Sequence, residues 1–108
     1  VRAIERHARR RYFENLNLNA LAREHHVQPA YLCRAFKETA GESFVQYIKR
    51  IRIERACRLL ESGAFDVNEV AELVGYNNPY YFAKVFKQAT GTTPSAFAAR
   101  PAPYLNRG

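Results

Sequence analysis

One phrase occurs twice in this chain. "PAYLCRAFKETAGESFVQY", Pro29 to Tyr47, comes back as "NPYYFAKVFKQATGTTPSAF", Asn78 to Phe97. Tyr31, Phe36, Lys37 and Gly41 return fifty positions later as Tyr81, Phe86, Lys87 and Gly91, and Arg34 returns as Lys84. In a chain of 108 residues there is little interior to spare, so the repeat restricts the fold to one small unit built twice.

The spacing around the repeat says which unit. Nearly every segment carries helical periodicity and strand alternation is scarce. "RAIERHARRRYF", Arg2 to Phe13, puts Ile4, Ala8 and Phe13 near one face, with five arginines elsewhere. Asn17 can N-cap a short helix with Leu18, Leu21 and Ala22 inward. Gln28-Pro29 opens a third helix that stops at Gly41. Ser43 and Gln46 have capping-box spacing and start a long helix from about Phe44 to Glu61. Its inward stripe reads Val45, Ile48, Ile51, the stem of Arg52, Cys57, Leu59 and Leu60, an imperfect period. Ser62-Gly63 ends it. Asp66 and Glu69 repeat the capping box before a short helix that buries Val67, Val70, Ala71 and Val74. Gly75 makes the turn, Asn78-Pro79 begins a sixth helix ended by Gly91, and Thr93-Pro94 caps a last short one. "RPAPYLNRG" reads as a tail.

The expectation is an all-α fold of seven helices forming two helix-turn-helix subdomains joined by a long linking helix. The first subdomain covers 1–42, the linking helix 43–62, the second subdomain 63–100 and the tail 101–108. A short helix, a tight turn and a second helix at a steep angle is the arrangement that reads DNA. Ala22 and Ala71 are small where the two helices of each copy cross. Gly75, four residues after Ala71, suits a left-handed turn. The first copy has His26 there, which visits that region at a modest cost.

Stepping 100° per residue along the third helix sends Leu32, Ala35 and Phe36 inward and Ala30, Arg34 and Lys37 outward. Along the sixth, Phe82, Val85 and Phe86 go in while Tyr80, Lys84 and Lys87 go out. Arg34 is the base-reading candidate, because its planar fork can bond guanine O6 and N7 together. Lys84 approaches the same acceptors with less geometric selectivity. Lys37 and Lys87 lie further from the helix starts and are assigned to phosphates. Tyr31 and Tyr81 are expected as half-buried packing residues, and Tyr80 as the exposed aromatic. A basic outward face is commonly just a solvated one, but the same charges at the same offset in two copies argue against that reading.

Seventeen Lys and Arg against ten Asp and Glu give a net charge of +7, which favours a polyanion partner. A linking helix of about 18 residues spans roughly 27 Å, and the packing offset of each reading helix added to this makes it compatible with the ~34 Å between successive major-groove faces on one side of B-DNA, so that one monomer can enter adjacent groove segments. Its basic residues Lys49, Arg50, Arg52, Arg55 and Arg58 are spread around it, and Arg52 can serve a salt link instead of a phosphate. The enzyme class finds little support. His25 and His26 point about 100° apart on a helix, a poor pair for one metal, and no Cys-x-x-Cys, His-Glu-x-x-His or glycine-rich phosphate loop appears. No catalytic residue and no cofactor are expected. Cys33 as a redox switch beside Arg34 is a weaker alternative. Arg9, Arg10 and Arg11 are contiguous rather than segregated from an apolar face, which argues against membrane insertion. Two cysteines, Cys33 and Cys57, point to a reducing cytosol.

These residues bear a family likeness. The segments from Leu21 to Leu60 and from Val67 to Phe97 resemble the DNA-binding domain of AraC/XylS-type bacterial transcription regulators, and the match runs from about Arg2 to Arg100. Ala71 with Gly75-Tyr76, Tyr81-Phe82, Phe86-Lys87, Gly91 and Thr93-Pro94 carries its specific part. The resemblance implies binding to double-stranded promoter DNA, activation through contact with RNA polymerase, a bacterial cytoplasmic location on the nucleoid, and a separate sensing or dimerising domain in the full-length protein. It places the first reading helix on Pro29 to Thr39, with Ala30, Cys33 and Arg34 facing bases. The second falls on Asn78 to Thr90, with Asn78, Pro79, Tyr80 and Lys84 in those places. His26 departs from the family's usual glycine. Pro79 and Tyr80 depart from its small polar residues, so apolar contact and phosphate anchoring are expected to dominate there.

Overall fold

Local capping chemistry punctuates the chain into seven helices, seen here in a computed structural model that describes residues 2–14 and 16–99. They are α1 (Arg2–Arg11), α2 (Leu18–Glu24), α3 (Pro29–Ala40), α4 (Phe44–Ser62), α5 (Val67–Leu73), α6 (Pro79–Thr90) and α7 (Pro94–Ala99), with no strand among the described residues. Asn17 Oδ1 accepts from the backbone N–H groups of Asn19 and Ala20 at 2.8 and 3.2 Å. Asp66 and Glu69 cap α5 reciprocally at 2.8 and 3.0 Å. Ser43 and Thr93 hydroxyls accept from Gln46 and Ala96 N–H at the starts of α4 and α7. Each such bond satisfies a donor that the helix itself leaves unpaired. The segment expected as a tail, 101–108, lies outside the described residues.

The chain divides between Ile51 and Arg52, inside α4, into two compact units. This explains the imperfect stripe of that helix. Up to the division Phe44, Tyr47, Ile48 and Ile51 are buried; beyond it Ile53, Ala56 and Leu60 are. Each set has helical spacing, but at 100° per residue the two lie about 160° apart around the axis. The single stripe expected from the sequence is therefore corrected. Val45 is 64% exposed, Cys57 and Leu59 are only half-buried, and Phe44, Tyr47, Ile53 and Ala56 take the interior places.

The first unit packs Ile4 and Ala8 of α1, Leu21 and Ala22 of α2, and Leu32 and Phe36 of α3 against the opening turns of α4. Phe36 sits at its centre, edge-on to Phe44 at 5.4 Å and to Tyr47 at 5.2 Å. In the second unit Phe86 has the same place, edge-on to Phe97 of α7 at 5.4 Å. The opening of α4 thus does for the first unit what α7 does for the second. Phe13 departs from its expected inward position. Since α1 ends at Arg11, where Glu14 N–H bonds the Arg11 carbonyl, the helical period no longer applies; Tyr12 packs on the core and Phe13 is 47% exposed.

Two turns are built alike from different residues. In the first, the N–H groups of His25, His26 and Val27 donate to Leu21, Arg23 and Ala22 carbonyls at 3.0, 3.2 and 2.8 Å. In the second, those of Val74, Gly75 and Tyr76 donate to Val70, Glu72 and Ala71 at 3.0, 3.1 and 2.8 Å. Ala22 and Ala71 are wholly or almost wholly buried beneath them. Both turn residues are left-handed, His26 at φ 56° and Gly75 at φ 101°. The second turn is one residue longer, and Asn77 is the addition.

Candidate nucleic-acid interface

Each turn delivers a helix whose apolar face is spent on the core. Leu32 and Phe36 of α3, and Phe82, Val85 and Phe86 of α6, are buried. Much of the remainder is exposed. Ala30, Cys33, Arg34 and Lys37 are exposed on α3, as are Tyr80, Lys84 and Lys87 on α6. Among the described residues none of Arg34, Lys37, Lys84 and Lys87 has an ion-pair partner. Their charge is free for a ligand. Acidic residues are few, with Glu38 on α3 and none on α6.

The two helix starts differ. Gln28 precedes α3 without a side-chain cap, whereas Asn78 Oδ1 accepts from Tyr80 and Tyr81 N–H at 2.9 and 3.2 Å. Asn78, which the family likeness assigns to bases, thus has its oxygen committed to the helix and keeps only its amide N–H groups for a ligand. Asparagine directly before a helix-opening proline was the available signal for that cap. Pro79 is partly covered and Tyr80 is 87% exposed. Tyr81, 47% exposed, lies 5.9 Å from Tyr76 as a packing residue. Tyr31 was expected to pack in the same way but is 59% exposed. Its counterpart has an aromatic neighbour in Tyr76, where the first copy offers only Val27.

Two cations of α4 have tertiary work. Arg50 bonds Glu42 at 2.8 Å and lies 5.3 Å from the centre of the Tyr47 ring. Arg52 stands over Tyr76 at 5.1 Å, a cation–π contact. Burial pushes the Tyr76 phenol pKa up, and the Arg52 guanidinium opposes this in part. Of the other basic residues along the linking helix, Arg55 and Arg58 are exposed and Lys49 is half-buried. Cys33, exposed, and Cys57, half-buried, form no disulfide. Among the described residues no group of three or more His, Cys, Asp or Glu is placed to hold a metal ion.

Comparison with known proteins agrees with this geometry. Residues 21–100 match a helix-turn-helix domain family. The transcriptional regulatory protein YesN of Bacillus subtilis is 42% identical over 86 residues, covering 77% of this chain and 23% of YesN. The DNA-binding domain of AdpA, a global transcriptional factor solved in complex with a target DNA, superposes with a TM-score of 0.86 at 25% identity, covering 98% of this chain and 93% of that one. A probable AraC family transcriptional regulator from Rhodopseudomonas palustris gives 0.82 at 26% identity, over 95% and 97% of the two chains. With its paired turns, its duplicated outward charges and these relatives, the chain belongs to the AraC/XylS-type helix-turn-helix family.

Proposed function

We propose that the chain is the DNA-binding part of a transcription regulator, each unit presenting one helix to a major groove of double-stranded promoter DNA. The observation that carries this is the duplicated outward face. Arg34 and Lys37 on α3, and Lys84 and Lys87 on α6, are exposed, free of ion pairs and held by matching turns. Arg34 reads a guanine edge, with Ala30 and Cys33 small enough to let α3 approach closely. Lys37 and Lys87 neutralise phosphates. On α6, Tyr80 and Pro79 make apolar contact, Lys84 approaches a base edge, and Asn78 offers its amide N–H groups. The work is binding, with no catalytic step and no cofactor.

The chain covers 23% of the length of YesN. A separate sensing or dimerising domain, contact with RNA polymerase, activation of transcription and a cytoplasmic place on the nucleoid belong to this proposal for the whole regulator. Among the described residues no helix is long and apolar enough to cross a membrane. The test is duplex binding across a salt series. Neutralising roughly four or more phosphates gives a slope of log K against log salt of about −4 or steeper. A flat response would contradict the reading.

A further inference from the structure

The geometry points to His26 as a DNA-backbone contact that the first unit has and the second lacks, its imidazole donating a ring N–H to a phosphate oxygen beside the groove entered by α3. The inference rests on the DNA reading above.

Among the described residues His26 is the one non-glycine with positive φ, at 56°. A Cβ there crowds the following carbonyl, a cost that glycine avoids. The turn itself does not require histidine. Gly75 builds the matching turn with the matching three hydrogen bonds, none differing by more than 0.1 Å. Nor does the imidazole recover the cost inside the molecule. His26 is exposed, and among the described residues its side chain enters no hydrogen bond, ion pair or ring contact. Backbone strain that nothing internal offsets is characteristic of a residue used on a ligand.

Position says which ligand. His26 lies three residues before Pro29, the first residue of α3, so at most about 10 Å of extended chain separates it from the start of the reading helix. Arg23, Glu24 and His25 are exposed beside it, so this end of the first unit presents the Arg23 cation and two imidazoles against a single carboxylate. At the corresponding place the second unit has Val74 and Gly75, whose side chains offer no donor.

Two variants of the 108-residue chain separate this role from a conformational one, because they move stability and affinity in opposite directions. His26→Gly relieves the backbone, so the melting temperature holds or rises by a few degrees. Removing the donor lowers affinity about three- to tenfold, by the same factor on a preferred duplex and on a random one, since phosphate contacts carry no sequence information. His26→Lys keeps the strain and a cationic donor, so the melting temperature does not rise and affinity stays within about twofold of the parent. Unchanged affinity in His26→Gly, a loss confined to the preferred duplex, or affinity that follows the melting temperature through both variants would overturn the assignment. A parent chain that bound no duplex would instead overturn the DNA reading on which it rests.

Discussion

The two units solve one construction problem with different residues, and the differences fall on opposite sides of each helix. Their interiors correspond closely. Phe36 and Phe86 each meet an aromatic ring edge-on, at 5.2 and 5.4 Å, and Ala22 and Ala71 sit under turns with the same hydrogen bonds. Their outward faces have diverged. The first unit has the planar fork of Arg34 with small neighbours, on a helix whose N-cap residue makes no side-chain bond and whose turn carries His26. The second has Lys84 with an exposed Tyr80, on a helix capped by Asn78 after a glycine turn. The lesson is that the better-capped frame does not carry the better reader. On our account the first unit specifies and the second holds.

The strongest way to break the correspondence of interiors is to empty them. Phe36→Ala and Phe86→Ala should each cost about 3–5 kcal/mol in denaturant unfolding, because each removes a fully buried ring and leaves a cavity. Costs differing by more than a factor of two would mean that the interiors are not equivalent. Arg34→Ala should lose about 1–3 kcal/mol on the preferred duplex and relax the preference at one base pair. Lys87→Ala should weaken every duplex alike and flatten the salt slope by about one. Equal behaviour of the two variants on preferred and random duplexes would erase the division of labour.

Smaller effects sharpen the contrast of the frames. Asn78→Ala should cost about 1 kcal/mol of stability through the lost cap. Gln28→Ala should cost at most a few tenths, since Gln28 makes no such bond. Paired melting curves decide this, and equal losses would contradict it. The smallest effect concerns pH. Burial raises the Tyr76 phenol pKa above its ordinary 10.0, so the folded form favours the neutral ring. The stability linked to this group is complete below about pH 10 and is lost as pH rises through the raised pKa. Tyr76→Phe should therefore lose less stability than the parent as pH rises above about 10, as read by urea midpoints. An unaltered alkaline loss would remove Tyr76 as a contributor.

How much of this could be read in advance depended on whether the cause was local. The helix limits were legible because Asn17, Asp66 with Glu69, Thr93 and the glycines act within one turn of the backbone. The inward faces of α3 and α6 were legible because each helix packs along one stripe. In α4 that assumption failed, since Ile51 and Ile53 belong to different units and the buried side changes over between them. Val45 accordingly faces out where a single stripe would put it in, and Ala56, with little hydrophobicity, gives no signal of its burial. Arg50 stands at i+3 from Tyr47 on α4, a pair that helical spacing allows, but Arg52 lies over Tyr76, a partner that no spacing rule on α4 reveals. Tyr31 and Tyr81 look equivalent in the repeat, yet only Tyr81 has Tyr76 beside it. The Asn-Pro pair signals the cap of Asn78, and that cap occupies the oxygen that a base-facing role would otherwise offer.

The most direct test of the account is selection of bound sites from a pool of random duplexes, run with the parent chain and with Arg34→Ala. The account predicts that the parent recovers two clusters of preferred bases, one sharply defined and containing guanine, the other weaker. It further predicts that Arg34→Ala flattens the sharp cluster and leaves the weaker one in place. Two equally sharp clusters that both survive Arg34→Ala would contradict it.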